Sequence, residues 1–276
     1  MNLKPIGRLC VLGAWWAAGL LPAGAAELVI QPGEVVEFTA TLNDELRYLA
    51  GGDRPSAITG TLAAVAVPAD FSPDRDWPVL LVSATSDPGH NSSRRLLHRF
   101  AGPALKAGWI VVAADPDAPV RMTDDNDQLR YALLMGALMR LYEEWPGIGR
   151  WPRAFGGFSG GAKRSAMLAG FSTYLGYPTI GVYQAGCNAP SMRYALEPLK
   201  GELRTRFLAT PVFLSSGRDD PIATARDMAG VRDDLKHHGF TSVRFARFQG
   251  THEVYGPHIE EALRWFAEQA RKPADR

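Results

Sequence analysis

The sequence predicts a mostly parallel, doubly wound β-sheet in a three-layer α/β sandwich. From about residue 34 onward, short apolar β-rich runs alternate with longer stretches of helical period. The middle runs are apolar along their whole length, as strands covered on both faces must be. Two alternating runs precede them, which places antiparallel strands before a β-α-β-α series. At 276 residues the chain can bury one large core, and its size favours one domain over two.

Residues 34–42 and 58–68 show, imperfectly, the apolar/polar alternation of half-buried strands. Val79-Leu-Leu-Val and residues 109–114, 154–158, 179–183 and 212–214 are the near-continuous runs of central strands. Between them, residues 92–107, 126–145, 160–174 and 223–238 carry apolar side chains at three- and four-residue steps. A last strand over 242–248 and a last helix over 257–271 complete a series joined by right-handed crossovers. Segment 187–208 is the place for an inserted cap, and it is too short for a separate lid domain.

Charge excludes several classes of partner. Thirty basic side chains balance 29 acidic ones, so there is no footprint for nucleic acid or an anionic surface. At the N-terminus, Lys4 and Arg8 precede an apolar stretch from Leu9 to Leu21, and small residues follow at 22–26. That stretch of about 13 residues falls short of the roughly 20 needed to span a bilayer. It reads as a signal peptide over residues 1–26, removed after Ala25 or Ala26, with a single domain over 27–276 that is secreted or periplasmic and has no stable membrane anchor. Cys10 would leave with the signal. Cys187 would then have no partner for an internal disulfide, so the core must hold the fold.

Chemistry in open parallel sheets collects at the carboxyl ends of strands. There lies Gly157-Phe158-Ser159-Gly160-Gly161, between an apolar run and a helical stretch. Glycines two residues to either side of a serine permit a sharp strand-to-helix turn that exposes its hydroxyl. Ser159 is therefore the candidate nucleophile, and the Gly160 amide, opening the helix, is a candidate oxyanion donor. In a chain with 28 glycines the pentapeptide alone is a modest signal; its strand-to-helix setting carries more.

A serine hydroxyl needs a histidine to take its proton and a carboxylate to orient that histidine. Asp219 and Asp220 follow the run at 212–214, and His252 follows the strand at 242–248. Of the other histidines, His98 lies on a helical face, His237 and His238 close a helix whose dipole suits a cation, and His90 sits in the loop after Val79-Leu-Leu-Val. His258 starts the final helix and competes with His252; strand-end position favours His252.

With Gly157-Phe-Ser-Gly-Gly, Gly217-Arg-Asp-Asp-Pro and Gly250-Thr-His in place, the chain from about residue 58 onward resembles the α/β-hydrolase superfamily. The resemblance is strongest to its secreted, lidless esterase branch, the dienelactone-hydrolase-like and polyester-depolymerase-like enzymes. It implies the α/β-hydrolase fold and makes Asp220, just before the proline, the acid of a Ser159-Asp220-His252 triad, with Asp219 a loop carboxylate or helix cap. A second oxyanion amide should follow the strand starting at Val79. Where the family usually carries His-Gly, this chain has Ser83-Ala84, so Thr85 is the expected donor, with Ala84 and Ser86 as alternatives.

Lys163 and Arg164 lie in the first turns of the nucleophile helix, where positive charge opposes the dipole, and read as solvated side chains; Cys187 and Tyr183 read as packing. The expected activity is hydrolysis of a small-molecule or polymeric carboxylic ester through an acyl-enzyme, with no metal or other cofactor. A peptidase of the same fold, and a secreted binding protein without turnover, are the rival readings.

Overall fold

A computed structural model describes residues 28–271. The expected signal segment lies outside the described residues. Eight strands form one sheet in the order β1-β2-β4-β3-β5-β6-β7-β8. They are β1 (Val35–Thr41), β2 (Gly60–Ala66), β3 (Val79–Ser83), β4 (Ile110–Pro116), β5 (Arg153–Phe158), β6 (Thr179–Ala185), β7 (Val212–Gly217) and β8 (Val243–Phe248). Strand β2 runs antiparallel to both β1 and β4, and β3 through β8 are parallel. The predicted sandwich is present.

Strand pleat divides the core in two, because successive side chains point to opposite faces. Val79 and Leu81 of β3, with Ile110 and Val112 of β4, join one buried cluster. Leu80 and Val82, with Val111 and Ala113, join the other. The first face carries α1 (Asp44–Gly51), α3 (Asp127–Glu144), α4 (Gly160–Tyr174) and α7 (Ala225–His237). The second carries α2 (Ser93–Lys106) and α8 (Gly256–Arg271). Runs that feed both clusters have no polar side to show, which explains their unbroken hydrophobicity.

Helix starts follow local chemistry. Ser92 caps α2 through the Arg95 amide and Asn126 caps α3 through the Leu129 amide, while Thr224 and Asp227 form a reciprocal capping box on α7. Helix α1 is absent from the sequence expectations. Its Asn43 cap and acidic first turn are ordinary signals, but eight residues give too few turns for a period to stand out. Segment 187–208 folds into α5 (Ser191–Leu196) and α6 (Gly201–Leu208). Met192, Ala195, Leu196 and Phe207 sink into the first cluster, and Ala195 packs against Gly170 of α4. This segment is part of the sandwich, with no separate lid domain.

Helix α8 is docked by Phe266, whose ring lies on Gly181 of β6, where an added Cβ would stand 2.3 Å from a ring carbon. The ring also meets Trp109 edge-on at 6.5 Å. Phe266→Ala should cost about 3–5 kcal/mol in urea unfolding, and a loss under about 1 kcal/mol would show that α8 is held elsewhere.

Candidate active site

Between the end of β5 and the start of α4, Ser159 takes φ 57° and ψ −120°, and no other non-glycine residue among those described has positive φ. Such a conformation costs about 1–3 kcal/mol and persists only where the surroundings enforce it. A Cβ at position 157 would lie 2.2 Å from the Gly161 carbonyl oxygen, and one at 161 would lie 2.2 Å from the Ser83 carbonyl oxygen. Glycine is required at both. The Ser159 amide donates to the Ala185 carbonyl at 2.8 Å, tying the turn to β6. Ser159 does not cap α4 with its side chain, so the hydroxyl is not consumed by the helix it opens.

Asp220 is brought to His252 by two loops that bond to each other. The Arg218 amide donates to the Phe248 carbonyl at 2.9 Å, and the Asp219 amide to the Gly250 carbonyl at 3.0 Å. Asp220 Oδ2 then lies 2.8 Å from His252 Nδ1. Its Oδ1 accepts the Ile222 and Ala223 amides, both at 2.8 Å, which fixes the carboxylate in plane. With Nδ1–H donating to the carboxylate, His252 Nε2 is left as a proton acceptor. The imidazole packs on Phe158, the residue before Ser159, with ring centroids 4.5 Å apart. Gly186, after β6, makes room for it: a Cβ there would stand 2.9 Å from His252 Cε1. Asp219 turns outward and pairs with the Gln249 side chain.

The remaining histidines are placed elsewhere. His258 is buried among Phe213, Phe248 and Tyr255, its Nδ1 2.8 Å from Ser215 Oγ. His238 reaches the Asp234 carbonyl, and His90, His98 and His237 are exposed.

The loop after β3 sorts the three expected donors. The Ala84 amide already donates to Ser93 Oγ at 3.1 Å, so it is committed. Thr85 stands against Gly160, where a Cβ would lie 2.3 Å from the threonine Oγ1; that hydroxyl donates to Asp87 at 2.7 Å. Ser86 points its hydroxyl to the Asp125 carbonyl at 3.0 Å. The Thr85 side chain and Gly160 are thus neighbours. A cavity of about 570 Å³ opens beside this loop, lined by Ser86, Asn91, Arg95, Asp117, Val120 and Met122 among others.

Arg164 corrects the sequence expectation of a solvated side chain: it is 6% exposed. Its guanidinium lies 3.6 Å from Asp125 and 3.4 Å from Asp127, at the start of α3. Burial pushes the Arg164 pKa down against the pull of Asp125, and burial pushes the Asp127 carboxyl up against the pull of Arg164. Arg130 is buried beside it, bonded to Asp125 at 2.5 Å and Asp115 at 2.8 Å. Sequence reading missed this cluster, although Asp115 ending an apolar strand and the acidic run 124–127 before a helix were available as signals. Cys187 and Tyr183 are buried as expected. Among the described residues no group of three or more His, Cys, Asp or Glu side chains is placed to hold a metal, and no helix is long and apolar enough to cross a membrane.

No family model matches the sequence, and a search of curated proteins finds no relative. Solved structures do match. A lidless α/β serine hydrolase from Xanthomonas campestris aligns at 15% identity and a TM-score of 0.54, over 90% of this chain and 100% of that one. A serine hydrolase homologue from Coxiella burnetii aligns at 12% identity and 0.52, over 87% and 98%. A ferulic acid esterase aligns at 14% identity and 0.58, over 86% and 98%. The chain therefore has the α/β-hydrolase fold, and among the described residues no separate lid domain is added to it.

Burial of His258 lowers its pKa from the ordinary 6.5, against a weaker opposite pull from Glu261. Above pH 6.5 both folded and unfolded chains hold it neutral. Below, the unfolded chain takes a proton that the folded site resists, so stability falls as pH falls. His258→Gln should flatten the decline of Tm between pH 7.5 and 5.5; parallel Tm curves for variant and parent would refute this role.

Proposed function

We propose that this protein is a serine hydrolase that cleaves carboxylic esters through an acyl-enzyme. The observation that carries this reading is the Asp220–His252 contact set against the strained turn at Ser159. Ser159 Oγ attacks the ester carbonyl while His252 Nε2 takes its proton; Asp220 holds the imidazole in the tautomer that allows this. The Gly160 and Thr85 amides bind the oxyanion. His252 returns the proton to the departing alcohol, then activates a water that releases the acid. None of these steps needs a cofactor.

A small-molecule or polymeric ester is the proposed substrate, entering a site without a lid domain. Export through the N-terminal segment belongs to the same proposal. A peptidase reading draws support from one further similarity, to an acylaminoacyl peptidase of Pyrococcus horikoshii, at 13% identity and a TM-score of 0.53, which spans 85% of this chain and 41% of that one.

Labelling by a fluorophosphonate probe tests the class. The parent should label and Ser159→Ala should not; a parent that stays unlabelled would favour a binding protein that keeps the fold. His252→Ala and Asp220→Ala should each lower kcat by about 10³-fold or more, while Asp219→Ala stays within about threefold. Matched esters and anilides would separate esterase from peptidase, and p-nitrophenyl acetate, butyrate and octanoate would size the acyl site. A panel adding feruloyl esters and polyesters would define the substrate.

A further inference from the structure

We propose that Arg164 is a positioning residue that orients and polarises the Thr85 amide as the second oxyanion donor, an inference that rests on the hydrolase reading. A peptide unit is planar and trans, so the carbonyl of one residue and the N–H of the next point in opposite directions. The Ala84 carbonyl and the Thr85 N–H belong to one such unit. Arg164 Nη1 donates to the Ala84 oxygen at 2.7 Å, and this direction dictates where the Thr85 N–H points: away from the guanidinium.

Two further contacts prevent this unit from rotating. On its N-terminal side the Ala84 amide is held by Ser93 Oγ at 3.1 Å. On its C-terminal side Arg164 Nη2 donates to Ser86 Oγ at 2.6 Å. Thr85 is the residue between, and its hydroxyl faces Gly160. Arg164 belongs to the helix that Ser159 opens, so one rigid element carries the nucleophile, the first oxyanion amide and the clamp on the second.

A positive charge on the carbonyl also draws electron density through the amide and strengthens its N–H as a donor. This supplies a chemical reason for burying a guanidinium at a helix N-terminus, where the dipole disfavours it. Packing alone would be met by an apolar side chain, since buried ion pairs often gain little stability over apolar replacements.

The test uses full-length protein with active sites counted by fluorophosphonate titration. Arg164→Met removes the cation beside Asp127 and risks misfolding; Arg164→Lys keeps the charge but loses the planar fork. For Arg164→Lys, kcat per titrated site should fall at least about tenfold with KM within about twofold. The inhibition constant of a boronic acid, whose tetrahedral adduct on Ser159 occupies the oxyanion site, should rise by a similar factor. A merely structural role would lower Tm or the number of titrated sites and leave kcat per site and boronate affinity unchanged, and that result overturns the proposal. An untitratable parent would instead overturn the hydrolase reading and this inference with it.

Discussion

The first turn of α4 lies so close to the end of β3 that Gly161 meets the Ser83 carbonyl, and the rest of the site is built on that approach. A side chain at 161 would push the helix off the sheet. Moving it back would open the distance between Thr85 and Gly160, release the Arg164 contact with Ala84 and relax the backbone at Ser159. These features are distant in sequence, yet they share one cause: helix and strand ends brought into contact without side chains between them. The strain at Ser159, about 1–3 kcal/mol, is small beside the burial of α4, whose Ala162, Ala166, Leu168 and Ala169 are fully enclosed.

Two kinds of force hold the two halves of the site. Asp220 and His252 sit on loops whose backbones bond directly to each other, so their mutual placement follows from the parallel pairing of β7 with β8. The loop after β3 has no such partner strand beyond Ser83. It is held by side chains instead: Ser93, Arg130, Arg164 and the aspartates around them. Strand pairing can serve where two loops leave adjacent parallel strands. A loop that must lean over the start of a helix needs charged side chains, which reach farther.

This division explains what was legible in the sequence. Repetitive physics reads well: alternate burial of Val79, Leu80, Leu81 and Val82 gives a fully apolar run, and the glycines about Ser159 mark a turn that tolerates no other residue. Placing Asp220, not Asp219, against His252 required a family resemblance, because adjacent carboxylates in one loop differ only in the direction they face. Arg164 was misread for a related reason. Its helix position argues for solvent, and the partners that bury it begin 37 residues earlier, at Asp127, and still earlier at Ala84 and Ser86. Helix-dipole reasoning sees one element; ion pairing between elements is invisible to it.

Replacement of the usual His-Gly by Ser83-Ala84 takes on a specific meaning in this setting. Position 83 contributes its carbonyl, at the point where Gly161 passes, and position 84 contributes a peptide held at both ends, by Ser93 and by Arg164. Neither task is performed by the side chain of 83 or 84. Ser83 Oγ is buried without a hydrogen-bond partner, and Ala84 is 2% exposed, so bulk at 84 would have to displace packed neighbours. What this loop demands is backbone direction with little side chain, and a distant guanidinium can supply that direction where no local motif does. The departure from the familiar dipeptide therefore leaves the backbone of this loop fixed.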